Sequence, residues 1–117
     1  DHTPDQIEAL TRHIVSISQR HQANTPVFLI EITPCEKRFK AWPKIRAVNA
    51  RLREIALSTP HAYFIPTASN YLRADGTPRS ELFVEDRLHL SKAGYKLWAK
   101  LICRRLNDVL TTQTTSK

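Results

Sequence analysis

No methionine occurs among these 117 residues, and glycine and cysteine occur only twice each. Without Met at position 1 the chain is expected to be part of a longer polypeptide, so the lack of a basic-then-apolar leader says nothing about the parent's destination. Neither glycine forms the tight Gly-rich turn around a serine that an exposed nucleophile needs. Cys35 and Cys103 are too far apart for a disulfide framework or a metal-ligand spacing, and read as two small buried hydrophobes. No apolar run approaches membrane-spanning length, and there is no internal repeat. A 41% hydrophobic and 25% charged composition belongs to a globular chain, at most one domain of modest size. The net charge of +7 is carried by cations scattered from Arg12 to Arg104, which describes a solvated basic surface rather than a single binding block.

The elements alternate. Thr3-Pro4-Asp5-Gln6 offers a hydroxyl cap, proline in the first turn and a carboxylate at the positive dipole end. Ile7, Leu10, Ile14 and Ile17 continue at helical spacing, predicting an amphipathic helix over 4–22. Val27–Ile32 is almost wholly apolar and branched, as in a strand buried on both faces. A loop over 33–42 leads to Pro43, which opens a helix with Ile45, Val48, Leu52 and Ile55 inward. Ser58-Thr59-Pro60 ends it, and residues 62–67 read as a second strand, giving a βαβ unit with parallel pairing. A connection over 68–90 turns at Ala74-Asp75-Gly76, and Ser91 caps a last helix faced by Gly94, Leu97, Trp98, Leu101, Ile102 and Val109. Domain 1–110 is followed by a polar tail, 111–117, expected to fray.

In an open parallel sheet, ligands bind beyond the carboxyl ends of the strands, where both the 33–42 and 68–90 loops begin. The second loop carries Asp86-Arg87-Leu88-His89. A carboxylate three residues before a histidine can hold one ring nitrogen and leave the other free to take a proton. The pair reads as the base-bearing half of a serine hydrolase. The bland alternative is a capping aspartate beside a solvated histidine. His2, His13, His21 and His61 read as surface residues, since no spacing brings two of them to one metal. None of Ser16, Ser18, Ser58, Ser69, Ser80 or Ser91 is assigned as a nucleophile.

The stretch from Glu81 to Tyr95, containing Asp86-Arg87-Leu88-His89-Leu90, resembles the last block of the SGNH, or GDSL-type, esterase and lipase family. Ile30-Glu31-Ile32-Thr33-Pro34, then Trp42-Pro43-Lys44-Ile45 and Asn49, resemble that family's fourth strand and following helix. The likeness spans nearly the whole chain but only the C-terminal portion of a family domain. It implies a flavodoxin-like three-layer α/β/α fold with a parallel sheet, of which two strands and three helices are present. It also implies carboxylic-ester hydrolysis without a cofactor or metal. Carried over, His89 is the base and Asp86 its orienting acid, while the nucleophile and oxyanion blocks lie upstream of this chain. Phe39, Trp42, Phe83 and Leu88 are candidates for an acyl-binding wall, and Asn49 for a support that hydrogen-bonds the His89 loop.

The expected partners are an ester or lipid substrate and either the missing N-terminal half or a second copy, joined through an open sheet edge. No transmembrane segment and no specific nucleic acid are expected. Two other readings stay open: a non-catalytic SGNH-like module that serves interaction or structure, and, ranked last, a basic nucleic-acid-binding module that rests on charge alone.

Overall fold

The computed structural model describes residues 2–115. The chain is α/β, with two parallel strands and three helices. Helix α1 is Pro4–His21, strand β1 Val27–Ile30, helix α2 Trp42–Ser58, strand β2 Ala62–Ile65 and helix α3 Lys92–Thr115. Short 3₁₀ segments occupy Glu36–Ala41, Ala68–Tyr71 and Ser80–Leu82. The residues divide into two compact units interleaved along the sequence. One holds the chain up to Ile32 and Lys40–Phe64; the other holds Thr33–Phe39 and the chain from Ile65 onward.

In the first unit α1 begins with a reciprocal capping box. Thr3 Oγ1 accepts from Gln6 N–H at 3.1 Å, and Gln6 Oε1 accepts from Thr3 N–H at 2.9 Å. Val48, Leu52 and Phe64 form the local core, with Ile7 and Ala56 packed on it. Arg51 of α2 bridges to Asp5 and Glu8 of α1, and its guanidinium lowers the Glu8 carboxyl below its ordinary range. Strand β1 pairs with β2 alone among the described residues. Phe28 stacks on Tyr63 across the pair, with ring centroids 5.6 Å apart.

Two expectations for this unit are corrected. β1 is half-buried throughout and Ile32 is exposed, because a two-stranded sheet leaves one edge of each strand without a neighbour. The apolar stripe of α1 is also not its buried face. Leu10, Ile14 and Ile17 are exposed, and Val15 is the buried residue, since α1 turns Ile7 and Val15 inward.

In the second unit Tyr71, Leu82, Phe83 and Cys35 form the core, flanked by Leu88, Leu90, Leu97, Trp98 and Leu101. The last three place the inner face of α3 where its periodicity put it. Ser91 caps α3, its Oγ accepting from Gly94 N–H at 3.2 Å while donating to Glu81 C=O at 2.8 Å. The turn at Ala74-Asp75-Gly76 forms as expected, with Gly76 at φ +87°, the left-handed region that glycine enters freely. α3 runs on through Thr115, so most of the segment read as a tail is helical; Ser116 and Lys117 lie outside the described residues. Cys35 is buried as expected, whereas Cys103 is exposed, on the outer side of α3. No helix among the described residues is long and apolar enough to cross a membrane.

Candidate functional site

The loop carrying Asp86 and His89 is closed at its base by backbone pairing. Ser91 N–H donates to Leu82 C=O at 2.8 Å, Phe83 bridges Leu90 in antiparallel fashion, and Val84 N–H donates to His89 C=O at 2.9 Å. Inside this frame Arg87 N–H donates back to Val84 C=O at 2.9 Å, and Arg87 adopts φ +60°. A non-glycine residue in that region costs about 1–2 kcal/mol. The reversal it produces points the backbone N–H groups of Leu88 and His89 at Asp86 Oδ1, at 2.9 and 3.0 Å.

The other carboxylate oxygen, Asp86 Oδ2, lies 2.5 Å from His89 Nδ1. Three hydrogen bonds therefore converge on one carboxylate. The ring bond from His89, followed by the backbone bonds from His89 and Leu88, holds the Asp86 carboxyl well below the usual carboxylate range. An ionised Asp86 is an acceptor only, so His89 Nδ1 is the donor in this bond, and Nε2 is the ring nitrogen turned away from the carboxylate. Nε2 has no hydrogen bond among the described residues, and the His89 side chain is 68% exposed. The arrangement is an imidazole oriented by a carboxylate, with its second nitrogen open to solvent.

The two loops that leave the carboxyl ends of the strands do meet. Lys37 N–H donates to Arg87 C=O at 3.2 Å, and Arg87 Nε pairs with Glu36 Oε2 at 3.1 Å. A cavity of about 450 Å³ opens here, lined by Glu36, Pro78, Ser80, Phe83, Val84, Glu85 and Arg87. Its walls mix apolar surface with two carboxylates, a guanidinium and a hydroxyl, and Ser80 Oγ accepts from Arg73 Nη2 at 2.8 Å.

Of the candidates for the acyl wall, Phe83 is the one that lines this cavity. It is also buried in the local core. Leu88 packs on that core, half-buried, and does not line the cavity. Phe39 is half-buried and Trp42 is buried as the first residue of α2; neither lines the cavity. Asn49 directs its side-chain hydrogen bonds to Ile32. It is buried and clamps the end of the first strand segment, its Oδ1 accepting from Ile32 N–H at 2.8 Å and its Nδ2 donating to Ile32 C=O at 3.0 Å. The amide satisfies both backbone groups where the ladder has ended. Sequence reasoning missed Glu36, Glu85 and Arg87, which carry no periodic signal and adjoin only after folding. His2, His13, His21 and His61 are exposed, and no group of three or more His, Cys, Asp or Glu among the described residues could hold a metal ion.

No protein-family model matches this chain, and no curated protein does. The fold is similar to that of a solved structure described as "a putative platelet activating factor from Streptococcus pneumonia". The two share 25% identity and superpose with a TM-score of 0.71 over 88% of this chain and 50% of the other. This chain thus spans about half the length of the solved protein it matches.

Proposed function

We propose that this chain is the acid–base portion of a serine ester hydrolase of the SGNH type. Asp86 orients and His89 acts as base, toward a serine and an oxyanion hole supplied from outside these 117 residues. The observation that carries the reading is the Asp86–His89 pair: Nδ1 is held on an ionised carboxylate, and a free Nε2 stands in an exposed position. The likeness of fold over 88% of the chain supports it, as does the meeting of the two strand-end loops beside the pair.

On this reading His89 Nε2 removes the serine proton as the hydroxyl attacks the ester carbonyl. It then returns that proton to the departing alcohol. Asp86 stabilises the imidazolium between the two steps and keeps the ring from rotating.

The test uses the parent polypeptide that includes this chain. A fluorophosphonate probe should label a serine outside residues 1–117, and p-nitrophenyl acetate should be turned over. His89→Ala should abolish both, and Asp86→Asn should lower kcat by up to about 10⁴, as loss of the orienting carboxylate does in serine triads. Full labelling of the His89→Ala protein would reject the assignment. Absence of any labelled serine in the unmodified parent would favour a non-catalytic module instead.

A further inference from the structure

Residue 87 stands between the acid and the base, and it is an arginine in a backbone conformation that suits glycine. Such a conformation persists only where the surroundings over-determine it. Here the turn's own hydrogen bonds are joined by contacts from one short segment of the other strand-end loop. Glu36 takes the Arg87 side chain at 3.1 Å, and the adjacent Lys37 N–H takes the Arg87 carbonyl at 3.2 Å. No hydrogen bond or ion pair among the described residues links Glu36 or Lys37 to Asp86 or His89. In hydrogen bonds and ion pairs, Glu36 and Lys37 reach the pair through residue 87.

We propose that Glu36 and Arg87 are positioning residues: their ion pair holds the reversal at residue 87 that keeps His89 Nδ1 on Asp86 Oδ2. The reversal is what lets one carboxylate reach two backbone N–H groups and the ring together. Were residue 87 to relax to the right-handed region, the peptide planes on either side of it would rotate. Asp86 Oδ1 would lose the convergent donors that fix its own rotamer, and Oδ2 would then have no fixed place from which to hold the imidazole. The catalytic consequence rests on the proposed role of His89, but the geometry itself can be measured without hydrolysis.

The experiment follows the His89 imidazole nitrogens and the exchange of its Nδ1 proton by ¹H–¹⁵N correlation on the labelled chain, alongside thermal unfolding. Glu36→Gln keeps the size of the side chain and removes its charge; it should speed exchange of the Nδ1 proton by roughly two- to fivefold, the range set by one partly exposed ion pair. Arg87→Gly removes the ion pair but also the steric penalty at positive φ. It should therefore loosen the imidazole less than Glu36→Gln does while leaving the melting temperature unchanged or higher, a separation that general destabilisation does not produce. The charge exchange Glu36→Arg with Arg87→Glu should restore slow exchange. Unaltered His89 signals in Glu36→Gln, or changes that simply track melting temperature, would overturn the proposal. In the parent protein, turnover that survives His89→Ala would remove the catalytic reading while leaving these measurements intact. Loss of turnover in His89→Ala, with Glu36→Gln leaving the imidazole signals and the pH profile of kcat untouched, would remove the positioning role alone.

Discussion

Gly94→Ala is the substitution whose sign the structure decides against ordinary expectation. Gly94 lies in the first turn of α3, where alanine is favoured over glycine by about 1 kcal/mol on helix propensity. A Cβ there, however, collides with the Leu82 carbonyl oxygen, a backbone atom that no side-chain rotation can remove. Overpacking of this kind costs about 1–3 kcal/mol. The Leu82 carbonyl also accepts from Ser91 N–H, so moving it away weakens a bond worth about 1 kcal/mol. The losses exceed the gain, and the net destabilisation should be about 1–3 kcal/mol. For a chain of this size that lowers the melting temperature by about 4–12 °C. Thermal unfolding followed by circular dichroism measures it directly. Because Leu82 and Ser91 close the base of the loop, His89 imidazole resonances should shift in the same variant. A melting temperature equal to or above that of the unmodified chain would show that the close approach of α3 to Leu82 does not exist.

Tyr71 is fully buried and donates its hydroxyl to Gly94 C=O at 2.7 Å, so Tyr71→Phe should cost about 0.5–1.5 kcal/mol in urea unfolding. Burial raises the Tyr71 phenol above its ordinary 10.0, so its contribution is complete below that value and is lost as pH climbs through the raised one. Alkaline unfolding should therefore be steeper in the unmodified chain than in Tyr71→Phe. Asp86 behaves in the opposite sense. Its lowered carboxyl contributes above the ordinary 3.8 and loses that contribution as pH falls further, and an acid titration of the loop's amide signals should lose this dependence in Asp86→Asn. Asn49→Ala should cost about 1–3 kcal/mol by stranding the N–H and C=O of Ile32, and faster amide exchange at Ile32 would confirm the cause.

Much of the architecture was legible because local chemistry announces itself. The Thr3–Gln6 box, Pro43 and Ser91 begin helices where their side chains and ring constraints demand, and the β–α–β order followed from apolar runs separated by Pro60 and its neighbours. What misled was burial. Apolar spacing names the face of α1 that would be covered if a partner were present, and Leu10, Ile14 and Ile17 are left exposed. The same holds for β1, whose apolar run exceeds what one neighbouring strand conceals. Asp86 and His89 could be paired from spacing, because three residues bring them within one reversal of chain. The conformation of Arg87 could not, since nothing in an arginine announces a positive φ. The cavity walls were equally hidden, being drawn from residues 36 and 78–87, which meet only in three dimensions.

The two oxygens of Asp86 have separate employments: one organises the main chain, the other faces the ring. Removing the imidazole therefore leaves the turn with its internal scaffold, whereas removing the carboxylate takes away the turn's acceptor and the ring's partner at once. On the proposed reading, a lineage could surrender its chemistry through position 89 and retain its shape; surrender through position 86 would forfeit both.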